Sequence, residues 1–320
     1  MGWNSWNCWG LSVDDQKVRD AARMMSEKLH AYGWEYINID DGWEAPERTK
    51  GGEILSNDKF PDFKALTDYI HGLGLKFGIY SSPGATTCGG HVGSYQHEEI
   101  DARTWERWGV DYLKYDYCGY LDIEKDSKEE TIQEPYIVMR NALDKVKRDI
   151  CILCRLWRSP MSGIGAAEAG GNQWRTTRDI TDEWNVVTAI GTFQDVCADA
   201  TAPGRNNDPD MLVVGKLGQG WGSKVHDSYL TADEQYSHIS LWCILSAPLL
   251  IGCDMANMDD FTLNLLTNNE VIAVSQDPMV APARKMLVKN GQIWSKKLYD
   301  GSYAVGFFHV DPYFYSLGSR

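Results

Sequence analysis

The chain has 320 residues, 43% of them hydrophobic, with 13 Trp, 16 Tyr and a formal net charge of −14. That length supports one large domain with a full core, and so acidic a surface disfavours nucleic-acid backbones and anionic membranes as partners. No apolar stretch approaches the roughly 20 residues of a membrane span.

The chain opens on strand-like sequence, Met1-Gly-Trp-Asn-Ser-Trp6, with no basic stretch leading into an apolar one. No signal peptide is therefore expected, and a trimmed start fits such an opening. From there, apolar runs of strand length alternate with amphipathic stretches of helical period. Strands are predicted at 2–6, 36–40, 76–82, 112–118, 150–157, 173–180, 192–199 (or 211–215) and 247–253, and helices at 13–32, 63–73, 100–108 and 131–147. Asp14 and Asp182 are placed to cap helices, and Gly33 and Gly74 to stop them. Eight strand-then-helix units over about 275 residues match a (β/α)8 barrel, assigned to residues 1–282. A doubly wound nucleotide-binding sheet is disfavoured, because no Gly-x-Gly-x-x-Gly follows the first strand. Residues 283–320 read as strand–turn–strand about Asp300-Gly301, the beginning of a β-region too short for a core of its own.

In a barrel the carboxyl ends of all strands share one mouth, so acidic residues that end several strands converge there. Segment 112–118 is apolar and aromatic yet delivers Lys114 and Asp116, while 173–180 carries Arg175 and ends in Asp179. Charge at a core edge is costly unless solvated or used. Two strand-end carboxylates are what a retaining glycoside hydrolase needs, one as nucleophile and one as proton donor. Lys114 shares a strand face with Asp116, and a neighbouring ammonium keeps a carboxylate ionised; a structural Lys–Asp pair would look the same. Asp179 has instead to hold a proton, through desolvation or a like charge. Arg175 and Arg178 work against that, and a salt-bridged or helix-capping Asp is the plainer alternative.

Asp40-Asp41 ends the second strand, where adjacent carboxylates can serve one ligand and accept paired hydrogen bonds from vicinal sugar hydroxyls. A metal or a solvated turn are the alternatives there. Asp210, in Asn207-Asp-Pro-Asp210, reads alone as a turn. No Ser or Cys nucleophile with a matching base stands out among the seven His, and no phosphate-cradling loop is present. The eight Cys are scattered. Cys151 and Cys154, three apart on a strand, face opposite ways, unlike a redox or zinc pair.

Taken in order, these motifs resemble those of the melibiase-type retaining α-galactosidases of glycoside hydrolase family 27, from Met1 to about Asp277. Carrying the resemblance are Met-Gly-Trp-Asn-Ser-Trp-Asn, Tyr-Ile-Asn-Ile-Asp-Asp-Gly-Trp, Gly-Val-Asp-Tyr-Leu-Lys-Tyr-Asp-Tyr-Cys, Trp-Arg-Thr-Thr-Arg-Asp-Ile and Asn-Asp-Pro-Asp-Met-Leu. It implies a (β/α)8 barrel followed by an antiparallel β-domain. The implied activity needs no metal or other cofactor and acts on an α-galactoside oligosaccharide or glycoconjugate. Residue by residue, it implies Asp116 as nucleophile and Asp179 as acid/base. Asp40, Asp41 and Lys114 would hold the 4-, 6- and 3-hydroxyls, Trp6 would floor the sugar, and Tyr80, Arg175 and Asp210 would line the pocket. Cys88 and Cys118 match a disulfide pair and with it an oxidising compartment, secreted, periplasmic or lysosome-like. Three positions depart from the pattern. Arg155 stands where the family has a Glu that meets the 2-hydroxyl, Asn206 replaces a Trp, and Arg178 replaces a Gly. The first departure leaves a 2-acetamido sugar, and so α-N-acetylgalactosaminidase activity, or another galacto-configured sugar open beside α-galactosidase. Crowding near Asp40-Asp41 would favour β-L-arabinopyranosidase activity, since L-arabinopyranose is galactose without its 6-carbon, and a non-catalytic galactose-binding protein is a remote alternative.

Overall fold

Eight short strands set the frame. The computed structural model describes residues 1–125, 128–155, 162–288 and 291–309. Strands β1 (Gly2–Asn4), β2 (Tyr36–Asn38), β3 (Lys76–Ser81), β4 (Tyr112–Tyr115), β5 (Cys151–Cys154), β6 (Gln173–Arg175), β7 (Asn206–Asp208) and β8 (Leu250–Ile251) form one parallel sheet in the order β8-β1-β2-β3-β4-β5-β6-β7. The sheet closes on itself. Past β7 the chain bends and Leu212 bridges Ile251 in parallel, its N–H donating to the Leu250 carbonyl at 2.8 Å. The expected (β/α)8 barrel is the result.

Helices α1 (Asp15–Met24), α2 (Phe63–Gly72), α3 (Glu98–Trp108), α4 (Glu129–Leu143), α5 (Ser162–Glu168), α6 (Trp184–Cys197), α7 (Ala232–Ile244) and α8 (Asp260–Leu266) follow the strands in turn. Helix α1 starts where the Asp14 carboxylate accepts the Lys17 N–H at 2.9 Å, and it buries Val18, Ala21 and Ala22. The helical path runs on through a wider turn to Leu29 and a tighter one to Tyr32, where Gly33 at φ 89° stops it. Asp182 does not cap α6. That position belongs to Glu183, and Asp182 accepts the Tyr229 N–H at 2.9 Å instead.

Strand β3 buries every residue from Phe77 to Ser81, as a parallel strand covered on both faces requires. Gly78 is needed there, since a Cβ would lie 1.9 Å from the Asn38 Oδ1. Each predicted barrel strand that forms extends too far, 76–82 by one residue and 247–253 at both ends. Segments 112–118 and 173–180 leave the sheet after Tyr115 and Arg175, and 116–118 and 176–180 continue as loops over the mouth. Asp116 is therefore the first residue past β4, whereas Asp179 lies four residues past β6 in a loop, not at a strand end. Of the segment 150–157, the ladder holds Cys151–Cys154, and residues 156–157 lie outside those described.

Segment 192–199 is not the seventh strand. It is the end of α6 and the turn after it, where the Thr188 and Thr192 hydroxyls donate to carbonyls four residues back at 2.8 and 2.7 Å. The seventh strand is the polar Asn206-Asn-Asp208, which has no apolar alternation to announce it. The alternative 211–215 supplies only the closing bridge.

Beyond Ala283, β9 (Arg284–Val288), β10 (Gly291–Lys297) and β11 (Tyr303–Phe308) form an antiparallel sheet. It is anchored by Trp294, which is fully buried. The hairpin expected at Asp300-Gly301 joins β10 to β11, with Gly301 at φ 89°, and β9 has no counterpart in the sequence prediction. Residues 310–320 lie outside those described. Among the described residues, no helix is long and apolar enough to cross a membrane.

Candidate active site

Strand β4 delivers the centre of the mouth. Asp116 extends the β3–β4 ladder by one bond, its N–H donating to the Ser81 carbonyl at 2.9 Å. One carboxylate oxygen accepts the Tyr80 hydroxyl from β3 at 3.1 Å, and the other accepts the Tyr117 N–H at 2.8 Å. Burial first, then the charge of Asp116, push the Tyr80 phenol well above its usual range, so it stays a donor.

Lys114 shares a strand face with Asp116, yet its ammonium bonds Asp40 at 2.7 Å rather than its strand neighbour. Burial opposes that charge, and Asp40, then Asp116 and Asp210, outweigh the cost and hold it on. Asp40 also accepts the Asn4 amide at 2.9 Å. Asp41 points the other way, into the loop after β3, where it accepts the Thr87 hydroxyl at 2.9 Å and the Gly89 N–H at 2.6 Å and meets His91 Nδ1 at 3.2 Å. Ligand atoms of Asp41, Glu44 and His91 come within 4.8 Å of one another. Both Asp41 oxygens are already engaged by this chain. Burial first, and the Asp41 charge second, raise the Glu44 carboxyl well above its usual range.

Asp210 reaches the mouth through a left-handed backbone at φ 82° and pairs with Arg175 at 2.9 Å. Arg175 also reaches Asp179 at 3.1 Å. The Cys88–Cys118 disulfide ties the loop after β3 to the one after β4, beside the nucleophile candidate. Trp6, Asp40, Asp41, Tyr80, Lys114, Asp116, Arg175, Asp179 and Asp210 all line one cavity, with Cys88 at its edge.

One partner of Asp179 differs from expectation. The sequence calls for a like charge to raise its proton affinity; the structure places Arg155 there instead. The guanidinium donates to Asp116 at 3.0 Å and to Asp179 at 2.6 Å, joining the two carboxylates. Burial works to raise the Asp179 carboxyl, but Arg175 and Arg155 outweigh it and hold the group well below the usual carboxylate range. Arg178, the residue that the sequence sets beside Asp179, is exposed. The signal for Arg155 was its place directly after the fifth strand. Strand alternation alone could not say that its side chain reaches both acids.

A closed parallel barrel with two carboxylates bound to one guanidinium at its C-terminal mouth is an arrangement that fits a glycoside hydrolase of the (β/α)8 class. The α-galactosidase A (melibiase) family matches residues 1–277. The chain is 42% identical to an α-galactosidase of Cyamopsis tetragonoloba over 312 residues, covering 95% of this chain and 71% of that one. Among solved structures, α-galactosidase I of Mortierella vinacea superposes with a TM-score of 0.88 at 33% identity, covering 97% and 80% of the two chains. A β-L-arabinopyranosidase of Geobacillus stearothermophilus superposes at 0.86 with 26% identity, covering 97% and 83%. The chain belongs to the α-galactosidase family, glycoside hydrolase family 27.

Proposed function

We propose that this chain removes terminal α-D-galactosyl residues by double displacement, with Asp116 as nucleophile and Asp179 as acid/base. The observation that carries the reading is the shared guanidinium. Two carboxylates close enough to bind one Arg155, across one cavity, are close enough to flank one anomeric carbon. Asp116 attacks that carbon while Asp179 protonates the departing oxygen. A water then attacks the galactosyl–Asp116 ester, and Asp179 takes its proton. Lys114 and Asp40 present donor and acceptor to the sugar hydroxyls, Asp41 lines the same cavity with its carboxylate braced by Thr87, Gly89 and His91, and Trp6 offers its apolar face to the ring. In the empty site Asp179 is held deprotonated, so its pair with Arg155 has to open before it can act as an acid.

Hydrolysis of 4-nitrophenyl α-D-galactopyranoside tests the reading. Asp116→Ala is expected to abolish turnover, and Asp179→Ala to regain it with azide, which needs no general base. Near-normal turnover by Asp116→Ala would overturn the assignment. A faster rate on 4-nitrophenyl β-L-arabinopyranoside would move the substrate to a sugar lacking the 6-carbon.

A further inference from the structure

We propose that Arg155 makes this site selective for α-galactosides that carry an anionic group, such as a sulfate ester, on the hydroxyl next to the reacting carbon. The inference rests on the glycosidase reading above and sharpens its substrate class.

Arg155 is the first residue past β5, and its side chain is only 16% exposed. With the guanidinium bonded to Asp116 and Asp179, the cavity between them is about 70 Å³, against the ~300 Å³ at the lower end for small-molecule sites. A pyranose enters only when Arg155 gives way. The guanidinium cannot shed its charge, so it needs another anion when it moves.

Among the described residues the pocket has none to spare. Asp40 is taken by Lys114 and Asp210 by Arg175, and both Asp41 oxygens are held by Thr87, Gly89 and His91. Asp116 must face the anomeric carbon, and Asp179 stops being an anion once it takes up the proton it donates. A neutral sugar hydroxyl can accept from the guanidinium but brings no opposite charge to balance a cation taken out of water.

An anion on the substrate resolves this balance. It replaces on Arg155 the charge that Asp179 loses on protonation, so the charge around the guanidinium is unchanged while the acid becomes competent. Its position follows from the chemistry of the ring. The anomeric carbon is bonded within the ring to O5 and C2, and only C2 carries a hydroxyl that can be esterified. The planar fork of Arg155 matches the paired oxygens of a sulfate, phosphate or carboxylate.

The test compares galactose 2-sulfate with galactose as ligands of the wild-type chain, Arg155→Ala and Arg155→Lys. Calorimetry reads the binding of both sugars, and inhibition of aryl α-galactoside hydrolysis reads it again. Wild type is expected to bind galactose 2-sulfate about tenfold or more tightly than galactose, the scale of one charge-assisted contact. Arg155→Lys should keep part of that preference. Arg155→Ala should reverse it and lower KM for the neutral aryl α-galactoside, since the blocking group is gone. Should Arg155→Ala not fold, Arg155→Gln serves in its place. Equal or weaker binding of the sulfated sugar by wild type, or a preference unchanged in Arg155→Ala, overturns the proposal. Failure of the glycosidase reading looks different, because no form would then hydrolyse the aryl galactoside while calorimetry still reports the preference.

Discussion

Asp210 holds a backbone that few residues accept, and its neighbours explain how. A non-glycine residue at φ 82° carries roughly 1–3 kcal/mol of strain, least for Asp and Asn. Its N–H donates to Asp208 at 2.8 Å, while its carboxylate accepts the N–H groups of Met211 at 2.9 Å and Ile180 at 2.8 Å. The Trp242 indole holds its carbonyl at 2.8 Å, and the ion pair with Arg175 completes the set. Asp210→Ala keeps the strain, loses the side-chain bonds, and takes from a guanidinium that is 1% exposed its buried carboxylate partner, leaving only the exposed Asp179. Breaking one side of a buried pair costs about 3–5 kcal/mol. Asp210→Ala should therefore lose about that much in guanidinium denaturation, and Asp210→Asn, which tolerates the backbone and still accepts N–H bonds, clearly less. Equal losses in the two variants would mean that the ion pair contributes nothing. Residue types at this scale were legible, since Asp116, Asp40, Asp41 and Lys114 were each named from their place at the end of an apolar run, and Asp210 from a turn just before one. Their pairing was not. Lys114 bonds Asp40 rather than Asp116 because β2 and β4 flank β3 in the sheet, a neighbourhood that no local spacing encodes.

Between elements, the disulfide joins the loop after β3 to the loop after β4 across 30 residues. Closing a loop of that length removes about 3–4 kcal/mol of chain entropy from the unfolded state. Thr87, Gly89 and His91, the partners of Asp41, flank Cys88 in sequence. Reduction should thus lower Tm and raise KM for an aryl α-galactoside more than it lowers kcat. A reduced protein with the oxidised Tm would show that the bridge leaves stability untouched. The same elements show what pattern reading can reach. Strands β1 to β6 and β8 were found inside the predicted segments, and their ends were overrun because the ladder stops at pairing that no residue pattern marks. Strand β7 was missed because its three polar residues belong to the sheet only through pairing with β6. The β-branched residues of α6 imitated a strand.

Over the whole molecule, two buried groups bind protons in opposite senses. His238 on α7 is fully buried, and burial alone pushes it down to about 3. Its Nε2 accepts the Val213 N–H at 3.1 Å, tying α7 to the segment that closes the barrel. Asp208 on β7 is pushed up to about 6, by burial first, with Arg175 opposing. For His238 the unfolded chain, titrating near 6.5, binds the extra proton between about pH 3 and 6.5, so stability rises with pH across that window. For Asp208 the folded state binds the extra proton between about pH 4 and 6, so stability falls as pH rises. The Asp208 contribution amounts to at most about 3 kcal/mol. The depression at His238 spans the wider window and is the larger of the two, so acid should weaken the fold through that ring. Urea unfolding at pH 4.5 and pH 7 separates the two groups. His238→Gln, whose amide oxygen can still accept the Val213 N–H, should shrink the gain in stability from pH 4.5 to pH 7. Asp208→Asn should enlarge it. If both variants kept the wild-type gain, neither buried group would be setting the acid limit of the barrel.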